Sequence, residues 1–201
     1  MRRFVRLLPP LLLALTLCRA EAADVYRTDV GPNGPDFSGV AFGPDLGVGL
    51  GSVGSANTSG AVGGAHLGYN FQSSRIVGGA EIDGMFSGVR TGSLGSASFS
   101  QDFLSSARVK GGYVFGNLLG YGTLGWAWST SDYRDGGVSS SVTIKGLAYG
   151  LGVEYPITRN VSLRGEVIRY DFGGATYATP YYPQPLTTST NVVRVGASLH
   201  F

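Results

Sequence analysis

The sequence is short of charged residues, cysteine, histidine and long hydrophobic runs. Charged side chains make up 14% of its 201 residues, whereas a water-soluble domain carries about a quarter. One cysteine and two histidines leave little material for a metal site or for thiol chemistry. Beyond residue 23 no run of about 18 apolar residues occurs, which argues against a transmembrane helix. The surface therefore need not face water everywhere, yet no helix is available to cross a membrane.

The N-terminus has the three parts of a secretory signal peptide. Three arginines lie among the first six residues, residues 7–17 form a short apolar run, and Ala20-Glu21-Ala22 supplies a small-x-small cleavage pattern. The apolar run is too short for a spanning helix, and two prolines interrupt it. We therefore expect residues 1–23 to be removed on export.

Removing this leader reverses the sign of the net charge. It takes away Cys18, Glu21 and four arginines, which leaves 11 basic and 12 acidic residues and a net charge of −1, where the full sequence has +2. No basic patch remains that would favour nucleic acid. We expect the mature chain to carry no disulfide, metal or cofactor, so its stability rests on hydrogen bonding and packing.

What the sequence has in abundance is glycine, with 33 residues, together with 11 tyrosines and 10 phenylalanines. Glycine recurs too often for long helices, and apolar residues instead alternate with small or polar ones with a period of two. Eight such segments are predicted to be strands: Phe37–Leu50, Gly60–Phe71, Arg75–Phe86, Phe103–Phe115, Leu118–Ser129, Ser141–Tyr155, Val161–Phe172 and Thr190–Phe201.

The predicted connections alternate between short and long. Short turns fall at 72–74, 116–117 and 156–160, and longer loops at 51–59, 87–102, 130–140 and 173–189. This pattern is typical of an outer-membrane barrel, with tight periplasmic turns and long external loops. We predict an all-β fold over residues 37–201, an eight-stranded antiparallel up-and-down transmembrane β-barrel. Residues 24–36 would form a polar periplasmic lead-in, and both termini would be periplasmic.

The alternation also assigns the two faces of each strand. In the last strand Val193, Val195 and Leu199 share one face, and Arg194 and Ser198 share the other. Basic residues facing lipid near the bilayer midplane would cost about 2–4 kcal/mol each. We therefore assign the apolar face to lipid and the small and charged face to the lumen. The fifth strand carries apolar residues on both faces, and its facing stays open.

Several segments resemble a known family. They are Gly68-Tyr69-Asn70-Phe71, 108–113 and 163–171, and the final strand ends on a terminal aromatic, as the assembly signal of outer-membrane proteins does. Over roughly 37–201 the chain is similar to the small porin-family barrels, which are OmpA-transmembrane-like and opacity-protein-like. The resemblance implies an outer-membrane location in a Gram-negative bacterium. It also implies contact with outer-membrane lipid and lipopolysaccharide, and recognition of Val193, Val195, Leu199 and Phe201 by the barrel-assembly machinery.

A set of charged residues falls on the predicted lumen face. Five acids and four bases nearly balance, and buried charges are kept where they are paired. Two interpretations stay open: a network that fills and rigidifies the lumen in a structural or surface-contact protein, or a narrow ion path in which the pairs exchange partners. The nine residues are Asp45, Glu81, Asp83, Arg108, Lys110, Glu154, Arg164, Glu166 and Arg194.

Two weaker features concern catalysis and surface contact. Ser198 and His200 share a face, and with Glu154 or Glu166 they could form a hydrolase set, but a triad is recognised by geometry, and we expect no enzyme. The last long loop carries Tyr177, Tyr181 and Tyr182 among prolines. Prolines lower the ordering cost of binding, so these tyrosines are candidates for contact with an extracellular partner. We expect a monomer.

Overall fold

The structure, a computed structural model, describes residues 34–53, 56–91, 98–135, 138–177 and 184–201. In this part of the chain eight strands form one closed antiparallel barrel, in which sequence neighbours pair and the last strand pairs with the first. The predicted fold and strand count are confirmed. The predicted signal peptide lies outside the described residues and stays a prediction. The strands are β1 (Gly39–Val53), β2 (Ala56–Ser73), β3 (Ile76–Thr91), β4 (Ser98–Phe115), β5 (Leu118–Asp135), β6 (Val138–Pro156), β7 (Val161–Tyr177) and β8 (Gln184–His200).

No helix among the described residues is long and apolar enough to cross a membrane.

The two ends of the barrel differ. One end, here called the turn end, carries the short connections 74–75, 116–117 and 157–160 together with Gly34 and the C-terminus. Gly116 has a φ of 61°, the left-handed conformation that a two-residue hairpin turn requires and that glycine adopts without strain. The opposite end, here called the loop end, is where β1 and β2, β3 and β4, β5 and β6, and β7 and β8 approach their connections.

The strands extend further toward the loop end than the sequence analysis predicts. Most of the predicted loops 51–59, 87–102, 130–140 and 173–189 continue the ladder; β5 runs to Asp135, for example, where the prediction ended at Ser129. In a membrane barrel, the alternating pattern extends along a strand only as far as its outward face meets lipid. The Ser, Thr and Gly residues beyond that level still pair their backbone groups, so the ladder continues without the pattern.

The predicted faces agree with the structure. Leu46, Leu151 and Val195 are between 66% and 74% exposed on the outside, whereas Asp45, Glu154 and Arg194 are 1–2% exposed in the lumen. In β5 the open question is resolved, because Trp126 and Trp128 point outward and Leu119 and Tyr121 are buried.

Phe172 points into the lumen, although it is an aromatic residue near the end of the apolar part of its strand. Its side chain is 3% exposed and stacks on Tyr170 inside the barrel, with ring centroids 6.3 Å apart. The outward face of β7 at this level is instead occupied by Asp171. An aromatic residue near a strand end therefore does not always belong to an interfacial girdle.

The described lumen is filled in three layers. The loop-end layer is apolar and includes Met85, Leu104, Ile168, Tyr170 and Phe172. A middle layer, the charged belt, consists of the nine predicted lumen charges. The turn-end layer contains Phe37, Val77, Val114, Leu119 and Tyr121, and the buried side chains of Glu154 and His200 lie beside them. The belt is thus closed by an apolar layer on its loop-end side.

Residues 34–38 form a strap across the turn end. The sequence predicts a lead-in up to Asp36 and a strand from Phe37, but β1 begins at Gly39 and Phe37 is 2% exposed in the turn-end layer. Gln72 fixes the strap, because its Oε1 accepts the Phe37 N–H at 2.9 Å and its Nε2 donates to the Pro35 carbonyl at 3.1 Å. Hydrogen bonds from the Ser38 hydroxyl and backbone N–H lower the pKa of Asp36.

Candidate functional site: the charged belt

Strand register places acids directly opposite bases in the belt. Glu81 of β3 is opposite Arg108 of β4, and Glu166 of β7 is opposite Arg194 of β8. Side chains directly opposite each other in an antiparallel pair are close enough to form ion pairs. All nine charges that the sequence analysis assigns to the lumen are between 1% and 6% exposed. The structure therefore brings the whole predicted set together.

Arg194 connects β8 with its neighbours β1 and β7 and, across the lumen, with β3. Its Nη2 and Nε lie 2.5 Å and 2.6 Å from Glu166 Oε2. Its Nη1 lies 3.3 Å from Asp83 Oδ1 and 3.4 Å from Asp45 Oδ2. A single guanidinium thus faces carboxylates from β1, β3 and β7, an arrangement that its planar fork of donors allows.

Glu81 is the acceptor shared by most of the bases. Arg164 binds it in bidentate fashion, with Nη1 donating to Oε2 at 2.7 Å and Nη2 donating to Oε1 at 2.8 Å. Arg108 Nη2 donates to Oε1 at 2.7 Å, and Arg194 Nη2 does so at 3.2 Å. Three guanidinium groups around one carboxylate would repel each other if Asp83 and Glu166 did not complete the belt.

Glycines give the long belt side chains room. A Cβ at Gly196, which is opposite Arg164, would lie 2.2 Å from Asp45 Oδ1. A Cβ at Gly125, opposite Arg108, would lie 2.0 Å from the Ala107 carbonyl oxygen and 2.6 Å from Arg108 Cα. The abundance of glycine is in these two places a packing requirement of the belt.

His66 forms a second polar group that the sequence analysis did not find. Its Nδ1 lies 2.9 Å from Asp45 Oδ2, and its Nε2 lies 3.0 Å from Ser198 Oγ. The order Ser–His–Asp is that of a hydrolase triad. Each of the three residues is 1% exposed, so a substrate has no access to the serine. The three come from β2, β8 and β1, and only the closed barrel joins them.

The predicted set of Ser198 with His200 is not brought together. His200 Nε2 instead lies 2.9 Å from Ser162 Oγ and 3.0 Å from Glu154 Oε1, and Ser162 also donates to Glu154. His200 is 8% exposed beneath the strap, where its ring meets Phe37 edge-on at 6.2 Å, and not at an open rim. Ser198, which is opposite Ser162 across the β7–β8 pair, contacts His66 instead.

Lys110 completes the belt on the side of the turn end. Its Nζ lies 3.7 Å from Glu154 Oε2 and 3.9 Å from Glu81 Oε2. It also lies 4.4 Å from the centre of the Tyr121 ring, a cation–π distance. The belt therefore continues without a gap into the turn-end layer.

The other predicted residues lie at the barrel surface. Val193, Val195, Leu199 and Phe201 face outward, and Phe201 pairs its backbone with Val40. Tyr181 and Tyr182 lie outside the described residues, and the described backbone of β7 ends at Tyr177.

A closed barrel with an apolar exterior and ionised groups inside is an integral β-barrel of the outer membrane. The chain belongs to the family described as outer membrane protein beta-barrel domain, which matches residues 11–201. The predicted family and the outer-membrane location are thereby confirmed.

Curated relatives carry outer-membrane names. The 22 kDa outer membrane protein of Rhizobium leguminosarum bv. viciae is 31% identical over 153 residues, which cover 76% of this chain and 72% of that protein. The 25 kDa outer-membrane immunogenic protein of Brucella abortus biovar 1 is 29% identical over 150 residues, 75% of this chain and 70% of that protein.

Solved structures share the fold. Neisserial surface protein A matches with a TM-score of 0.57 and 18% identity over 82% of this chain and 98% of that chain. OprG from Pseudomonas aeruginosa matches with a TM-score of 0.51 and 16% identity over 84% of this chain and 98% of that chain.

Proposed function

We propose that this protein is a closed outer-membrane barrel with a structural and surface-contact role, and that its lumen is filled and does not conduct. The observation that carries the proposal is the filling of the described lumen, in which the charged belt is covered toward the loop end by an apolar layer. An ion crossing an apolar layer loses its hydration without gaining a partner, which is strongly unfavourable. An eight-stranded interior is moreover just wide enough to be filled by side chains.

The contact role is assigned to the loop end. The strands continue there beyond the level at which their outward face is apolar, so the barrel presents polar segments outside the lipid. Tyr177, Tyr181 and Tyr182 belong to this end in sequence and remain the candidates for an extracellular partner. The Brucella relative is named an immunogenic protein, and surface exposure of the same end in this chain fits that name.

A narrow channel is the second candidate, and one observation favours it. Asp45 Oδ1, Glu166 Oε1 and Arg164 Nε are buried in the belt without a hydrogen-bond partner in the described protein. Buried polar atoms of this kind bind water, and a chain of water through the belt is what an ion path needs. The loop-end apolar layer would then have to open.

Single-channel conductance separates the two candidates. The mature chain is refolded, its barrel is verified by heat-dependent gel mobility, and it is inserted into a planar bilayer with salt on both sides. We expect an electrically silent barrel. Discrete openings whose size changes in Arg194→Ala would contradict the proposal and establish the belt as part of a channel.

A further inference from the structure

The strap crosses the turn end between two glycines. Gly34, its first residue, and Gly39, which follows its last, have φ values of 89° and 105°, which glycine adopts without strain and other residues rarely do. A Cβ at Gly34 would lie 2.8 Å from the Gly116 carbonyl oxygen, and one at Gly39 would lie 2.2 Å from the backbone oxygen of Phe201. The docked strap therefore reaches from the turn between β4 and β5 to the end of β8, and both of its ends have a backbone that rotates readily.

Beneath the strap, the contacts of His200 decide which of its ring nitrogens carries a hydrogen. Nε2 lies 3.0 Å from Glu154 Oε1 and 2.9 Å from Ser162 Oγ, and the Ser162 hydroxyl donates to the same Glu154 oxygen. A carboxylate only accepts hydrogen bonds, so Nε2 donates and Nδ1 of the neutral ring has no hydrogen. Nδ1 is buried and has no hydrogen-bond partner among the described residues.

The strap adds a cover and a charge to the surroundings of His200. The Phe37 ring packs edge-on against the imidazole at 6.2 Å, and the neighbouring Asp36 carboxylate is close enough to act on it electrostatically. Other charged groups around the ring belong to the barrel and stay in place whether or not the strap is docked. They are Glu154 of β6, Lys110 of β4, Arg159 of the turn 157–160 that bonds the His200 backbone, and the terminal carboxylate of Phe201. Docking therefore changes the environment of the ring through Phe37 and Asp36.

Protonation of His200 changes the balance between the docked and the released strap. It places a second N–H, at Nδ1, on a ring that the docked strap covers, and a buried charged donor without a partner is strongly unfavourable. Once the strap leaves, water can accept this hydrogen bond. Asp36 opposes release by attracting the imidazolium, but its side chain is exposed, so water screens the attraction. A positive ring therefore favours the released strap.

We propose that the strap is an acid-released cover of the turn end, with His200 as the group that senses pH. Imidazole is the side chain that changes charge between about pH 5 and about pH 8. With a neutral ring, Phe37 stays in the turn-end layer. With a charged ring, residues 34–38 leave and water reaches Glu154 and Lys110. The apolar loop-end layer lies on the other side of the belt, so it stays closed in both states, and the silence of the barrel proposed above does not depend on the strap.

Hydrogen exchange at the strap measures its release. The backbone amide of residue 37, here called the strap amide, donates to Gln72 Oε1 in the docked strap. Its exchange is followed by NMR in the refolded mature protein in detergent micelles at about pH 5 and about pH 8. Each rate is divided by the rate of an unprotected amide at the same pH, which gives a protection factor. We expect the protection factor to be at least about tenfold lower in acid, since an unpaired buried charged donor shifts an equilibrium by about that factor or more. The amides of β1 should keep their protection.

Matched variants separate His200 from other effects of acid. His200→Gln retains an amide N–H that can reach Glu154 and cannot gain a proton, so the strap amide should be equally protected at both pH values. His66, the other histidine of the sequence, is unchanged in this variant. Asp36→Asn retains the oxygen that accepts the Ser38 N–H and lacks the charge that opposes release. Its loss of protection in acid should be at least as large as that of wild type.

A third variant is the control for charge at the turn end. Arg75→Gln, in an exposed turn, should respond to acid as wild type does, and heat-dependent gel mobility verifies that each variant is folded. The proposal is overturned if wild-type protection is equal at both pH values or higher in acid, if His200→Gln still responds, or if Arg75→Gln does not. An equal loss of protection in β1 would also overturn it, because acid would then loosen the whole barrel. If His200→Gln does not fold, Asp36→Asn decides, since a weaker response than that of wild type would mean that Asp36 and not the covered ring controls the strap.

Discussion

At the scale of single residues, the belt shows how a lumen can hold many charges. Glu81 accepts hydrogen bonds from Arg108, Arg164 and Arg194, and none of these groups has bulk water around it. Each ion would be costly alone, but a buried charge is tolerated when every side of it meets an opposite charge or a hydrogen bond. The loss of one member therefore affects several others.

Arg194→Met tests this interdependence. The change keeps an apolar stem of similar length but leaves Glu166, Asp83 and Asp45 without the guanidinium they face. We expect the free energy of unfolding to fall by about 3–5 kcal/mol, the cost of leaving buried charges uncompensated. Urea unfolding of the refolded protein in detergent micelles measures it. Arg75→Gln, in an exposed turn, should change the free energy of unfolding by less than about 0.5 kcal/mol. A fall for Arg194→Met no larger than that for Arg75→Gln would mean that the belt does not stabilise the barrel.

The members of the belt could be predicted from the sequence, but their partners could not. Period-two alternation fixes which face a residue occupies, so Glu81 and Arg164 are recognised as lumen residues from their own strands. Their bidentate contact joins β3 and β7, which are not neighbours in the sheet. Such a contact depends on strand tilt and barrel diameter, and the sequence does not state these. The contacts of His66 with Asp45 and Ser198 escaped prediction for the same reason.

At the scale of elements, β5 shows why alternation alone could not assign every face. Alternation distinguishes the two faces of a strand only where the lipid face alone is apolar. Leu119 and Tyr121 break this condition because the lumen at their level is closed by the turn-end layer, and the apolar face of β5 therefore changes sides along the strand. The signal that could have resolved it was Trp126 and Trp128, because aromatic residues of this kind are typical of the outward interfacial positions of such barrels.

The strap gives a prediction at this scale. Phe37→Ala removes the ring that holds residues 34–38 in the turn-end layer. The backbone amide of residue 37 donates to Gln72 Oε1. We expect this amide to exchange its hydrogen at least about tenfold faster in the variant, because removing a buried phenylalanine ring costs several kcal/mol. Hydrogen–deuterium exchange of the refolded protein measures this. The amides of β1 serve as the control and should keep their exchange rates. An unchanged exchange rate at residue 37 would show that the ring does not hold the strap.

The final strand gives a second prediction, which concerns assembly of the barrel. We propose that the outward row Val193, Val195, Leu199 and Phe201 is read by the barrel-assembly machinery. Phe201→Ala should reduce the amount of folded barrel in the outer membrane several-fold, while the purified variant refolds in detergent as wild type does, because Phe201 is 79% exposed and packs little. Heat-dependent gel mobility of cell membranes and of refolded protein supplies both readings. A matching loss in the purified protein would instead indicate a packing role.

At the scale of the whole molecule, the two ends of the barrel predict its orientation. We expect the loop end to face the exterior and the turn end the periplasm. The mature chain has no cysteine if the predicted leader is removed, so single cysteines can be placed freely. Tyr181→Cys should react with a membrane-impermeant maleimide on intact cells, and Asn117→Cys, in a turn, should react only after the outer membrane is opened. The reverse pattern would contradict the orientation.

Arg194 lies on the last strand, and three of the carboxylates it faces belong to the first, third and seventh. A chain inserted only as far as its seventh strand would hold Asp45, Asp83 and Glu166 in a half-open sheet with no guanidinium from β8. Such an intermediate carries an excess of negative charge at bilayer depth, which is unfavourable until the final strand arrives. The ion cluster that fills the finished barrel thus has a second effect during assembly. It makes release of the barrel into the lipid unfavourable until the eighth strand is in place.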